Sequence, residues 1–90
     1  HLFTIRTVRI TDPSTYDAGS VRGTRSRLQV SQALFAQLLG VSSELVEHWE
    51  QGICPPRGAA RRLLDEINRD PTGFLQRHSA PPGRRLRKVG

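Results

Sequence analysis

The chain has 90 residues and a mass of 10.1 kDa, with 36% apolar residues, enough for one small domain and a modest core. No apolar run approaches the ~20 residues needed to cross a bilayer, and the first residues do not read as a signal peptide. A single cysteine, Cys54, excludes an internal disulfide and a multi-thiolate metal site, and leads us to expect a reducing, cytoplasmic setting. Methionine is absent even at position 1, so we expect residues upstream of this stretch.

Fourteen Lys and Arg against eight Asp and Glu give a net charge of +6, and thirteen of the cations are Arg. The planar guanidinium suits phosphate and base edges because it donates two parallel hydrogen bonds. Arg84, Arg85, Arg87 and Lys88 carry +4 of that excess, so residues 1–78 hold only +2. A basic tail alone fits nucleic acid, an acidic partner or plain solubility.

Residues 1–17, HLFTIRTVRITDPSTYD, form an N-terminal arm. Phe3 and Ile5 fall on one face of an extended segment, with Val8 and Ile10 on the other. The β-branched content favours a strand, but no second strand lies nearby to pair with it. Either the arm finds a partner on a second copy or another protein, or it is a partly ordered extension.

Residues 18–77 are helical in pattern. The first helix should run from Ala18 or Ser20 to Leu28, with Val21, Thr24, Arg25 and Leu28 at helical spacing. Ser31 caps a second helix, Gln32 to Leu39, which Gly40 ends. Ser42 caps a third, Ser43 to Gln51, which Gly52 stops. Pro55-Pro56 forbids helix in the next loop. A fourth helix is expected from about Gly58 to Arg69, with Ala60, Leu63, Leu64 and Ile67 inward. Asp70-Pro71 opens a short fifth helix carrying Phe74 and Leu75. Residues 78–90, rich in Pro, Gly and charge, read as a flexible basic tail.

The stretch from Arg25 to Gly52 sets two short helices around a Gly-Val-Ser turn. A corner of this kind lets the second helix enter a DNA major groove while the first crosses the backbone. Phe35, Ala36 and Leu39 make the inward face of the first of these helices. Val46 and Trp49 point inward from the second, so Ser43, Glu44, Glu47 and His48 cannot all be buried.

The pattern SQ..FA..LGVS...V..WEQG, at Ser31, Gln32, Phe35, Ala36, Leu39 to Ser42, Val46 and Trp49 to Gly52, resembles the helix-turn-helix of the Cro/phage-repressor-like (XRE) family. Its continuation through Pro56, Gly58, Ala59, Ala60, Leu63 and Leu64 is similar to the HigA/MqsA-type antitoxins of bacterial toxin–antitoxin modules. The first match covers about a third of the chain and the second about residues 20–77; the arm and tail lie outside both. The resemblance implies an all-α, five-helix repressor-like fold. It also implies a homodimer that binds double-stranded operator DNA, often at its own promoter, and a small RNase-type toxin of the HigB/RelE-like class as possible partner. It implies no enzyme activity, and the Cys-rich zinc region that some MqsA-type members carry is absent from this sequence.

Carried onto this chain, the resemblance puts base-reading positions at Ser43, Glu44, Glu47 and His48. Two acids there depart from the usual Gln, Arg, Lys or Asn: Glu accepts from a cytosine amino group but repels phosphate. Glu44 and Glu47 also read as solvated helix charges, and Glu47 as a carboxylate held by an arginine. Leu45 fits either a thymine methyl or the edge of the core. Phosphate contacts fall to Ser31 and Gln32 at a helix N-terminus and to Arg57, with Arg22 and Arg27 as added charge. Arg25 and Glu50 match an ion pair that orients the recognition helix, with a loose surface pair as the alternative. Arg61, Arg62 and Arg69 read as a solvated face.

Leu34 and Leu38, one turn apart, read as a contact surface for the arm, a second copy or a toxin, or as a widened core stripe. His48 and His78 have no other metal-ligand cluster near them, and Cys54 has no predictable base beside it. We therefore expect no metal, no cofactor and no catalytic residue. The competing functional readings are a regulator without a toxin, and a protein-interaction module with weak DNA binding.

Overall fold

The computed structural model describes residues 5–80. Five α-helices follow one another: α1 Ala18–Leu28, α2 Gln32–Leu39, α3 Ser43–Gln51, α4 Ala59–Arg69 and α5 Pro71–Arg77. No strand occurs among the described residues.

Local chemistry explains where each helix begins. Asp17 and Ser20 form a reciprocal capping box at α1: the Asp17 carboxylate accepts from the Ser20 amide, and Ser20 Oγ accepts from the Asp17 amide, both at 2.8 Å. Ser31 and Ser42 accept from the amides of Leu34 and Leu45, each at 3.1 Å. Asp70 accepts from the Gly73 amide at 3.0 Å, with Pro71 at the first helical position of α5. Helix α4 starts at Ala59, one residue later than expected, because Gly58 takes a positive φ of 57° that no helical residue adopts.

The helix ends are equally local, and glycine makes two of them. Gly40 and Gly52 stop α2 and α3 with φ of 73° and 78°, where a side chain would be strained. Gln29 stops α1 in the same left-handed region at φ 58°, although it is not glycine. Its amide reaches both Arg25 O and Ser26 O at 3.1 Å, which ties off α1 before the turn into α2.

Every helix supplies the single core. Val21 and Leu28 come from α1, Phe35, Ala36 and Leu39 from α2, Val46 and Trp49 from α3, Leu64 and Ile67 from α4, and Phe74 from α5. Burying each large side chain contributes about 1.5–3 kcal/mol. Ala60 and Leu63 sit at the margin of this core, and so does Leu75. Helix α1 is central: it packs on α3, α4 and α5, while α2 packs on α3.

The arm differs from expectation. Residues 5–10 carry no regular structure, and Ile5, Val8 and Ile10 are exposed. From Thr11 to Tyr16 the chain is held by α4 of the same molecule. Arg61 donates to the carbonyls of Pro13 and Ser14, and Arg62 donates to that of Thr11. The Ser14 amide and the Tyr16 hydroxyl both donate to the Asp65 carboxylate, at 2.9 and 2.6 Å. Arg61 and Arg62 thus fasten the arm, Arg62 while exposed, and Arg69 stays on the solvated face as expected. The strand reading fails for residues 5–17 because α4 offers side-chain partners to this backbone and no neighbouring strand does. Phe3 and the tail from residue 81 onward lie outside the described residues.

Candidate nucleic-acid interface

The turn of Gly40, Val41 and Ser42 sets α3 against α2. Gly40 N and Val41 N close the end of α2 on Gln37 O and Ala36 O, and Ser42 caps α3 at once. Val41 packs partly against the core, as a plug between the helices. Val46 and Trp49, 0% and 2% exposed, fix the inward face of α3. The opposite face then points outward by helical geometry: Ser43, Glu44 and Glu47 are exposed, and His48 is half-buried beside them.

Neither Glu44 nor Glu47 forms an ion pair among the described residues. The expectation that an arginine holds Glu47 is therefore corrected: Arg22 and Arg25, which α1 presents to α3, are both committed to Glu50. Glu44 lies in the first turn of α3, where the positive end of the helix dipole favours an acid. Leu45 is half-buried and packs on the edge of the core.

Glu50 is the hub of the region. Only 7% exposed, it accepts a bidentate pair from Arg25, Nε to Oε2 at 2.7 Å and Nη2 to Oε1 at 2.9 Å. Gln32 Nε2 adds a third bond to Oε1 at 3.0 Å. Arg25 Nη1 continues to Val30 O at 3.0 Å, in the loop between α1 and α2. One carboxylate therefore joins α1, α2 and α3. Burial alone pushes its pKa up; the hydrogen bonds from Arg25 and Gln32 and the charges of Arg25 and Arg22 outweigh this and hold it below the usual carboxylate range. The Arg25 guanidinium is raised in turn by its hydrogen bonds to Glu50.

The residues expected at phosphate occupy different settings. Ser31 is exposed and spends its hydroxyl oxygen on capping α2. Gln32 is half-buried and directs one amide N–H to Glu50, leaving the other. Arg57 is exposed at the rim of an apolar hollow lined by Val41, Leu45, Trp49 and Pro55. Leu34 and Leu38 part company: Leu38 packs on the core margin, whereas Leu34 is 43% exposed. A shallow hollow beside them is lined also by Gln37 and His78. The docked stretch of the arm is bonded to α4.

Two groups of polar residues escaped the sequence reading. Arg22 donates through Nη1 to the carbonyl of Glu50 at 2.6 Å, a role beyond the added charge that the sequence suggests. Its position three residues before Arg25 on α1 was the available signal. Asn68 Nδ2 lies within hydrogen-bond reach of Tyr16 OH, Thr24 Oγ1 and Leu64 O, joining the arm, α1 and α4. Partners 44 to 52 residues apart leave no local pattern to read.

The fold and the outward face of α3 define the class: an all-α helix-turn-helix domain of five helices. No family model matches the chain. Over 47 residues, 52% of the chain, it is 43% identical to antitoxin HigA-2 of Vibrio cholerae serotype O1. The aligned stretch covers 45% of that protein, so the chain spans a little under half the length of the curated relative it matches. No helix among the described residues is long and apolar enough to cross a membrane.

Proposed function

We propose that the chain is a sequence-specific DNA-binding repressor, the antitoxin of a bacterial toxin–antitoxin pair that binds its own operator as a homodimer. One observation carries this reading. A helix pinned on one side by Val46 and Trp49 presents Ser43, Glu44, Glu47 and the open edge of His48 on the other, at the outer arm of a helix-turn-helix corner. The likeness to antitoxin HigA-2 supports the biological setting.

In this reading α3 lies in the major groove. Glu44 accepts from a cytosine amino group, Ser43 and His48 touch neighbouring base edges, and Glu47 sits at the margin. The N-terminus of α2 offers free amides to a phosphate, with Ser31 and the second N–H of Gln32 beside them, and Arg57 contacts the backbone from the loop after α3. Arg25 and Glu50 orient α3 and do not touch DNA. A small RNase-type toxin in the cytoplasm is the protein partner, and the role requires no catalytic step, metal or cofactor.

The test is selection of bound duplexes from a random pool, followed by titration at several salt concentrations. The expected result is a two-fold symmetric site with half-sites about 34–36 Å apart and affinity that falls steeply with salt. Uniform weak binding to every duplex would overturn it. It would favour the second reading, a protein-interaction module, which rests on the exposed Ile5, Val8 and Ile10 of the arm and on the acids of α3.

A further inference from the structure

An α-helix leaves its last carbonyls without partners, and something must satisfy them. At the end of α3 the backbone satisfies two: Ile53 N reaches His48 O at 2.9 Å and Gly52 N reaches Trp49 O at 3.2 Å, the paired bonds of a glycine-terminated helix. The chain turns away at Gly52, so no following amide in helical position reaches Glu50 O. That carbonyl instead accepts from Arg22 Nη1 of α1. Arg22 supplies from another helix the bond that the turn takes away, and it brings a positive charge to the negative end of the α3 dipole.

Glu50 is consequently held twice from α1. Its carbonyl, which runs along the helix axis, is held by Arg22, and its carboxylate, which projects sideways, is held by Arg25. A radial bond alone leaves the helix free to slide along its axis, and an axial bond alone leaves it free to rotate. Residues 22 and 25 lie on one face of α1, so two successive guanidinium groups remove both freedoms at a single residue. In the DNA-binding reading the base-facing residues, Ser43 to His48, lie two to seven residues away on the same short helix, where a shift of even an ångström would misplace the hydrogen-bonding atoms.

We propose that Arg22 is a positioning residue for sequence discrimination: it locks the axial position of α3 through the Glu50 carbonyl and makes no phosphate contact. This rests on the DNA-binding reading above, and it assigns to Arg22, although exposed, a part distinct from that of Arg57.

The experiment compares the full chain with Arg22→Ala, Arg22→Lys and, as a control that removes one charge elsewhere, Arg69→Ala on α4. Each is titrated with the duplex selected by the unaltered protein and with a scrambled duplex, across a salt series. Amide exchange at Gly52 and Ile53 is followed without DNA. For Arg22→Ala the ratio of selected to scrambled affinity is expected to fall about tenfold, the loss of roughly one good base contact. The salt slope should be unchanged, and exchange at both amides faster. Arg22→Lys keeps a donor for the carbonyl and should recover most of the ratio, while Arg69→Ala should leave it unaltered. Equal loss on both duplexes, with the salt slope reduced by about 0.9, would make Arg22 a phosphate contact and overturn the proposal. Unchanged discrimination and unchanged exchange would overturn it as well. If the unaltered protein selects no duplex, the DNA reading itself fails, and the exchange comparison alone then decides whether Arg22 holds α3.

Discussion

Two carboxylates fasten this molecule together, and they do so in opposite surroundings. Glu50 is buried, 7% exposed, and takes three side-chain hydrogen bonds from two helices. Asp65 lies on the half-exposed face of α4 and holds the arm through Ser14 and Tyr16. A buried carboxylate is costly to orphan, because water cannot replace its partners; an exposed one exchanges protein donors for solvent at little loss. The first arrangement therefore suits a geometry that must not vary, such as the set of α3. The second suits a fastening that opens and closes while the domain stays folded.

Several measurements bear on that contrast. The largest effect should come from Arg25→Ala, which strips Glu50 of its bidentate partner and leaves Gln32 as its one remaining side-chain donor. A loss of about 3 kcal/mol is expected in urea unfolding. A loss under about 1 kcal/mol would place this pair with the surface ones. Replacing both partners, Arg25→Met with Glu50→Leu, should bring stability back to within roughly 1 kcal/mol of the unaltered protein. If it does, the pair acts through geometry more than through net stability.

Acid should act on the two carboxylates at different pH. Glu50 and Asp65 both have carboxyl groups held below their ordinary values of 4.5 and 3.8. For Asp65 the causes are the hydrogen bond from Tyr16 and then that from the Ser14 amide, at an exposed site. A depressed folded-state pKa means that the unfolded chain binds protons first. The stabilisation is therefore complete above the ordinary value and is lost as pH falls through the lower folded one. Stability should begin to decline below about pH 4.5 through Glu50 and only below about pH 3.8 through Asp65. Glu50→Gln should flatten the upper part of that decline and Asp65→Asn the lower part, as read from unfolding midpoints between neutral pH and strong acid.

Smaller effects belong to the arm. Tyr16→Phe deletes the hydroxyl shared by Asp65 and Asn68 and should cost about 0.5–1 kcal/mol. The Ser14 amide should exchange faster while the amides of α3 keep their protection. Were α3 to loosen as well, the arm and α3 would be one cooperative unit and the contrast between the carboxylates would fall. Arg62→Ala, which frees only the Thr11 carbonyl, should stay within about 0.5 kcal/mol and show mainly as easier proteolysis near Thr11.

The helices and their inward faces are written in the residues themselves. Ser31, Ser42 and Asp70 cap helices through amides three residues away, and Gly40 and Gly52 end two of them through their own backbone freedom. Such signals are complete within one turn, which is why the bounds of α2 and α3 and the buried Phe35, Val46 and Trp49 were legible. The outward set of Ser43, Glu44 and Glu47 followed by helical geometry from that inward face. Where the long polar side chains end depends on packing between distant helices. Arg22, Gln32, Asn68 and Arg61 each reach partners 18 to 52 residues away, and each has several rotamers that local spacing cannot choose among. The arm's place on α4 belongs to the same kind: its own residues favoured a strand, but the nearest unsatisfied donors and acceptors were the side chains of a helix formed some 50 residues later.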